Sequence, residues 1–179
     1  MRIISGRLKG RKIQAPKNLP VRPTTDMAKE SLFNILNNLY YFDGISVLDL
    51  FAGTGSISLE FASRGTSTIY AVDANFHCIK FIQKISDQYK AGIQTIKSDV
   101  FKFLESSKLT SDVIFADPPY DFEIEKFNQI VDLVFNNAQL NEGGVLVVEH
   151  SKYTDLSEHK HFSYNRKYGG CMFSFFELE

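Results

Sequence analysis

The chain has few cysteines, no long apolar run and no clustered metal ligands, and each absence narrows its function. Its two cysteines, Cys78 and Cys171, lie far apart without a C-x-x-C pair, and its four histidines are scattered. Neither a disulfide framework nor a metal site is therefore indicated. No apolar stretch approaches the ~20 residues that cross a bilayer, and the basic start lacks the apolar segment of a signal peptide. We expect a soluble, cytoplasmic, monomeric protein without metal or membrane contact.

The charge is nearly balanced overall but unevenly distributed. Twenty Lys and Arg face 21 Asp and Glu, which gives a net charge of -1. Up to position 29 the only acid is Asp26, and the cations there are Arg2, Arg7, Lys9, Arg11, Lys12, Lys17, Arg22 and Lys29. A basic segment on an acidic body is common in proteins with a polyanionic partner, although a merely solvated surface has the same pattern. We take Arg7, Lys9, Arg11 and Lys12 as candidate contacts to a nucleic acid.

The length of 179 residues fits one domain, which we predict to have two parts. Residues 1–42 form a basic extension. In it RIISGRLKGRKI alternates apolar and basic residues, and Gly6 and Gly10 mark turns, which predicts two short strands or a hairpin. Apolar residues at helical spacing then predict a helix of about four turns that begins at Thr25 or Asp26. Residues 43–179 form the main body.

In the main body, short apolar runs alternate with longer amphipathic stretches. The runs are at 47–50, 68–72, 93–96, 113–116 and 145–148, and two amphipathic stretches are at 75–89 and 123–137. Strands that are apolar throughout are buried on both faces, and strand-helix alternation implies parallel crossovers. The last segment, HFSYNRKYGGCMFSFFELE, predicts a hairpin around Gly169 and Gly170. The predicted fold is α/β and Rossmann-like: a mostly parallel, doubly wound sheet that ends in an antiparallel hairpin.

The segment VLDLFAGTGSISLE has the pattern of a strand, a glycine turn and a helix. In an open α/β sheet this turn lies at the carboxyl edge of the strands, where ligands bind. Gly53 and Gly55 permit positive φ and close backbone approach. Asp73 ends the second predicted strand about 20 residues later, where an acid typically holds ribose hydroxyls. These features fit either a nicotinamide dinucleotide or S-adenosylmethionine.

Two details favour S-adenosylmethionine. The dinucleotide fingerprint G-x-G-x-x-G fails at Ser58. Asp49, just before the loop, would repel a pyrophosphate but suits a methionine ammonium. Asp99, after the third strand, offers an acceptor for an adenine amino group. One acid alone is easily explained as a helix cap, whereas three at successive strand ends are not. The predicted cofactor shell comprises Asp49, Phe51, Gly53, Thr54, Gly55, Asp73, Asp99 and Val100.

The fourth apolar run ends in Asp117-Pro118-Pro119-Tyr120, which we predict to be catalytic. A proline pair after an acid also suits a simple turn, but a turn needs no aromatic, and a buried acid is costly without a partner. Methylation of an exocyclic amine explains each residue. Asp117 and the Pro118 carbonyl would accept the two N–H groups, so that the nitrogen lone pair can point at a methyl donor. The prolines would fix that carbonyl, and Tyr120 would stack on an extruded base.

Five segments in this order resemble the RsmD family, the bacterial 16S rRNA guanine-N2 methyltransferases. They are RIISGRLKGRKI, RPTTDMAKESLFNIL, VLDLFAGTGSISLE, DPPY and KYGGCMFSFFE, and the resemblance covers nearly the whole chain. It implies a class I S-adenosylmethionine-dependent fold and methylation of one guanine N2 in 16S rRNA, with 30S subunits or assembly intermediates as partners. It also implies that Arg22, Pro23, Thr24 and Thr25 help to close the cofactor site, while the basic segment approaches RNA.

Three alternatives remain at this point. DPPY is shared with amino methyltransferases acting on adenine N6 in DNA or RNA, but those enzymes usually carry an added target-recognition region, for which this chain has no room. A non-catalytic RNA-binding assembly factor of the same fold would not need both the glycine loop and DPPY. A dinucleotide oxidoreductase is disfavoured by Asp49 and Ser58.

Overall fold

A computed structural model describes residues 1–17, 19 and 24–178, which fold around a single seven-stranded sheet. The helices are α1 (Asp26–Leu39), α2 (Ser56–Ser63), α3 (Phe76–Tyr89), α4 (Val100–Ser106) and α5 (Ile124–Asn136), with a short 3-10 helix at Phe42–Gly44. The strands are β1 (Ser46–Leu50), β2 (Thr68–Asp73), β3 (Ile93–Lys97), β4 (Ser111–Ala116), β5 (Leu140–Ser151), β6 (Phe162–Tyr168) and β7 (Cys171–Glu177).

The strand order is β3-β2-β1-β4-β5-β7-β6. The first five strands are parallel, and β7 lies antiparallel between β5 and β6. The predicted parallel sheet with a terminal hairpin is thereby confirmed. Strands β1 to β3 are added toward one side of the sheet, and β4 then returns to the other side of β1, so the order of strands reverses at β1 and β4. The carboxyl ends of these two strands lie in the middle of one edge, where a crevice opens in sheets of this topology.

Side chains alternate across the sheet and form two cores. Val47, Phe115 and Val147 point to the face covered by α1, α2, α3 and the extension. Leu48 and Ile114 point to the opposite face, covered by α4 and α5. Because both faces are buried, these strands are apolar throughout rather than alternating.

Residues 1–13 contain the predicted hairpin in a short form, which packs on α2. Arg2 and Lys12 form an antiparallel bridge, and Met1 and Ile13 exchange backbone hydrogen bonds of 2.9 Å in both directions. Next to this pairing, the backbone N–H groups of Ile4 and Ser5 donate to the Glu60 carboxylate, at 2.9 and 3.0 Å. A Cβ at Gly6 would lie 1.8 Å from the Ser63 carbonyl oxygen, so this close approach needs glycine. The short hairpin is therefore docked on α2, a contact that the alternating sequence pattern did not indicate.

A buried ion pair joins α1 to α2 beneath this hairpin. Lys29 and Glu60 are 1% and 0% exposed, with Nζ 3.6 Å from Oε2. Lys29 also donates to the Arg2 carbonyl and to Ser56 Oγ, while Arg64 Nε donates to Glu60 at 2.9 Å. Burial lowers the pKa of Lys29, and the charge of Glu60 opposes that shift. The ion pair and its hydrogen bonds hold α1, α2 and the backbone at Arg2 in fixed positions relative to one another.

Both cysteines are buried and remain thiols. Within the described part of the chain, none of the helices has the length and apolar character of a membrane span. The same residues contain no cluster of three or more His, Cys, Asp or Glu placed to hold a metal ion.

Candidate active site

A cavity of about 410 Å³ opens at the carboxyl ends of the central strands. This volume lies in the range of small-molecule sites. Its wall includes these predicted site residues: Thr24, Asp49, Phe51, Gly53, Thr54, Asp73, Asp117, Pro118, Pro119 and Tyr120. The fold thus brings the glycine loop and the DPPY segment together, although they are distant in sequence.

Four other predicted site residues are not part of the cavity wall. Gly55 precedes α2 with φ +73°, and Val100 is buried at the start of α4. Thr25 caps α1 by accepting from Ala28 N, and Asp99 caps α4 by accepting from Lys102 N at 3.1 Å. For Asp99, this is the helix-capping role by which the sequence analysis could explain a single acid at the end of a strand. Arg22 and Pro23 lie outside the described residues.

The glycine loop is held by Asp73. Asp73 Oδ2 accepts from Gly53 N at 2.9 Å, and Oδ1 accepts from Asn75 N at 2.7 Å. Phe51 has φ +58°, a left-handed conformation that costs an L-residue about 1–2 kcal/mol. At Gly55 a Cβ would lie 2.9 Å from Ile82 Cγ1 on α3. The loop is therefore a fixed turn against α3, with backbone exposed to the cavity.

Asp49 is a buried carboxylate at the base of the cavity. It is 2% exposed, and its Oδ2 accepts from both the N–H and the hydroxyl of Ser58, at 3.1 and 2.5 Å. Burial raises its pKa to about 7; the Ser58 hydrogen bonds oppose this shift, and the charge of Asp73 adds to it. A cationic ligand group beside it would stabilise the ionised form. The site therefore fits the ammonium of S-adenosylmethionine.

The DPPY segment lies across the cavity from the glycine loop. Pro118 is buried, and Phe122 N donates to the Pro119 carbonyl at 3.1 Å, which closes a turn after the prolines. The Tyr120 hydroxyl donates to Glu149 Oε1 at 3.0 Å. Burial, followed by the negative charge of Glu149, raises the Tyr120 pKa far above its usual value. The ring that we predicted to stack on a base is therefore anchored through its hydroxyl.

Glu149 is the main cavity residue that sequence reasoning missed. It lies on β5, is 4% exposed, and accepts from Thr24 Oγ1 through Oε2 at 3.3 Å as well as from Tyr120. Val148 on β5 pairs with Ala116 on β4. Glu149 is the residue after Val148, and Asp117 is the residue after Ala116. The two acids therefore occupy corresponding positions on neighbouring strands. The signal was present in VLVVEH, an acid after an apolar run, the same pattern that drew attention to Asp117.

The four candidate RNA-binding cations of the extension are exposed, and two of them also contact the end of α3. The Arg7 guanidinium donates to the carbonyls of Tyr89 and Lys90 at 2.9 and 2.8 Å, and Arg11 lies over the Tyr89 ring at 5.7 Å. Lys9 and Lys12 are exposed. Tyr89 ends α3, which begins at the cavity edge and runs away from it. Arg7 and Arg11 are therefore docked at the opposite edge of the sheet.

Comparison with known proteins gives consistent matches over the whole chain. The family model described as "conserved hypothetical protein 95" matches residues 1–177. YlbH of Bacillus subtilis is 36% identical over 88% of this chain and 86% of its own. Ribosomal RNA small subunit methyltransferase D of Escherichia coli is 31% identical over 83% of this chain and 74% of its own.

Two solved structures illustrate the shared fold. The structure of YhhF from Escherichia coli has a TM-score of 0.83 at 26% identity and covers 98% of this chain and 96% of its own. RsmC of Thermus thermophilus, a 16S rRNA N2 methyltransferase solved with S-adenosylmethionine and guanosine, has a TM-score of 0.71 at 23% identity. That match covers 90% of this chain and 45% of RsmC.

Proposed function

Since the chain belongs to the RsmD family of S-adenosylmethionine-dependent rRNA methyltransferases, we propose that it methylates the exocyclic N2 amine of one guanine in 16S rRNA. One observation carries the proposal. The DPPY segment and the glycine loop line the same cavity, so an amine held by the first lies next to a ligand held by the second. Catalysis would then consist mainly of aligning the two reactants.

The residues of the cavity divide into two groups. Asp49, Asp73 and the backbone of Gly53 and Thr54 would hold the cofactor, which supplies an electrophilic methyl group when bound. Asp117 and the Pro118 carbonyl would accept the N–H groups of the target amine. That arrangement turns the nitrogen lone pair out of conjugation with the base. The hydrogen bonds would strengthen as positive charge develops on the nitrogen.

Glu149 supports guanine over adenine as the target. A carboxylate is an acceptor only, and a base that has flipped into a pocket is read through its Watson–Crick edge. Guanine presents a donor N–H at N1 beside its amine, whereas adenine presents an acceptor nitrogen there. Glu149, a buried acid next to Asp117, would accept the guanine N1–H in addition to the hydroxyls of Thr24 and Tyr120, and would repel the lone pair of adenine N1. The amino methyltransferase of adenine is therefore the weaker candidate.

The proposal can be tested by mass spectrometry of 16S rRNA nucleosides from a strain that lacks the protein. We expect one N2-methylguanosine to disappear, and to return with the wild-type protein but not with Asp117→Asn. Loss of N6-methyladenosine instead would establish the adenine alternative. An unchanged rRNA would contradict the assignment to 16S rRNA. Methylation of purified 30S particles and of naked 16S rRNA, compared side by side, identifies the form of the substrate.

A further inference from the structure

The terminal hairpin brings a second set of cations to the edge of the sheet that contains the cavity. Ser151, at the carboxyl end of β5, pairs with Cys171, and Cys171 pairs with Tyr168. The turn at Gly169 and Gly170 therefore lies at the same edge as the DPPY segment. We call Lys152, Tyr153 and Arg166 the hairpin surface.

The hairpin surface lies close to the acids of the cavity. Glu149 pairs with Phe173, and Phe173 pairs with Arg166. Directly paired residues point to the same face, and neighbouring strands are about 4.8 Å apart. Arg166 is thus about 10 Å from Glu149 across the sheet, on the face from which Glu149 reaches the cavity.

The side chains of the hairpin surface are exposed and suit an RNA strand. Tyr153 is 86% exposed, and Lys152 Nζ lies 4.9 Å from the centre of its ring. Arg166 is exposed, with its guanidinium 4.8 Å over the Tyr164 ring. Single-stranded nucleic acids bind to such sites because cations contact phosphates while aromatic faces stack on bases.

The other side of the cavity rim has the opposite charge. α5 begins directly after the DPPY segment, and a cleft that includes its Ile124 is lined by Asp132, Asp155 and Glu158. The exposed acids on this side are Asp121, Glu123, Glu125, Asp155 and Glu158, and they outnumber the exposed cations there, Lys126 and Lys160. The net negative charge would repel RNA phosphates. The charge pattern therefore favours approach over the hairpin, and Arg7 and Arg11 of the extension are docked at the far edge.

We propose that the hairpin surface binds the RNA strand flanking the target nucleotide, with Lys152 and Arg166 on phosphates and Tyr153 stacked on a neighbouring base. This inference rests on the proposed function, because it assumes an RNA substrate. It differs from the expectation that Arg7, Lys9, Arg11 and Lys12 are the principal RNA contacts.

The test compares two double variants that remove equal charge. Lys152→Gln/Arg166→Gln alters the hairpin surface, and Lys84→Gln/Lys108→Gln alters lysines away from the cavity edge. We measure binding to 30S particles and to naked 16S rRNA, both from the strain lacking the protein, over a range of salt. Removing one cation–phosphate interaction should reduce the slope of log K against log salt by about 0.7–0.9. The hairpin variant should therefore show a slope reduced by about 1.4–1.8, and the control should match wild type.

A second pair of variants tests the aromatic contact. Tyr153→Ala should weaken RNA binding by roughly 5- to 150-fold because it removes the stacking face, while Tyr153→Phe should bind like wild type. Affinity for S-adenosylmethionine should be unchanged in both. If the hairpin variant keeps the wild-type salt slope, or if Tyr153→Ala binds like Tyr153→Phe, the hairpin proposal is wrong while the proposed function stands. A wild-type protein that neither binds nor methylates these RNAs would overturn the proposed function, and the hairpin proposal with it.

Discussion

Asp49 and Glu149 show how differently two buried acids of one cavity can be satisfied. One oxygen of Asp49 takes both bonds from Ser58, whereas each oxygen of Glu149 accepts from a different hydroxyl. Glu149 thereby positions Tyr120 and Thr24, while Asp49 combines a raised pKa with a place beside the glycine loop. The raised pKa of Asp49 leads to predictions on cofactor binding and on stability, and the position of Asp117 leads to a prediction on catalysis.

At Asp117, replacement by Asn should impair the chemical step alone. The side chain keeps its size, but one acceptor oxygen becomes a donor facing an N–H of the target amine. We expect single-turnover methylation of 30S particles to slow by ~100-fold or more, the usual effect of removing one preorganised transition-state interaction, with cofactor affinity near that of wild type. Methylation at the wild-type rate would mean that this strand ending is only a turn.

At Asp49, cofactor binding should depend on pH. Because burial raises the pKa of Asp49 to about 7, its charge is progressively lost as pH falls below that value. A neutral side chain attracts an ammonium less, so calorimetry should show weaker S-adenosylmethionine binding at pH 6 than at pH 8. Asp49→Asn should bind weakly at both values. Equal wild-type affinity at pH 6 and 8 would contradict the assigned role.

The same substitution has a predictable effect on stability. The pKa of Asp49 is higher in the native state than the 3.8 expected for the unfolded chain, so between pH ~4 and ~7 the native state binds more protons. Asp49 therefore lowers the free energy of unfolding as pH rises through this window. Asp49→Asn escapes that loss and should be at least as stable as wild type at pH 8, as judged by urea denaturation.

Among the elements, the contact between the extension and α2 depends on the buried Glu60. Its carboxylate forms ion pairs with Lys29 and Arg64. It also accepts hydrogen bonds from the backbone N–H groups of Ile4 and Ser5. Removing one partner of a buried ion pair leaves an uncompensated charge, which costs far more than breaking an exposed pair. The extension is thereby a structural part of the domain as well as a basic segment.

Glu60→Gln should lower the free energy of unfolding by about 3–5 kcal/mol, measured by urea denaturation. Hydrogen exchange at the Ile4 and Ser5 amides should also accelerate. The control is Asp26→Asn, which breaks the exposed Asp26–Arg2 pair and should cost no more than about 1 kcal/mol. Equal effects of the two substitutions would show that the buried network does not hold the extension.

At the scale of the whole molecule, the cavity joins β1, β2, β4 and β5, so a ligand there should stabilise the entire domain. At 100 times its dissociation constant, S-adenosylmethionine should add about 2.7 kcal/mol to the free energy of unfolding. For a domain of this size that corresponds to a rise in Tm of about 5–10 °C. NAD at the same concentration should have no effect. Stabilisation by NAD alone would contradict the distinction drawn from Asp49 and Ser58.

The sequence by itself determined the order of strands and helices, the glycine loop and the DPPY segment. Buried strands and amphipathic helices have different apolar periods, and tight loops need glycine or proline at particular positions. These requirements act over a few neighbouring residues and are therefore visible in the sequence. Asp49 and Asp117 were found for the same reason, since each lies next to such a loop or turn.

Only the tertiary structure decided which distant residues meet. Thr24 and Glu149, separated by 125 positions, share a hydrogen bond, and Arg7 reaches the end of α3. The hairpin predicted at the start of the chain is present in a short form, but its docking on α2, where a buried carboxylate accepts from the amides of Ile4 and Ser5, was not predicted. A backbone amide bonds whichever acceptor folding brings near it, and an alternating pattern carries no information about a partner 55 residues away.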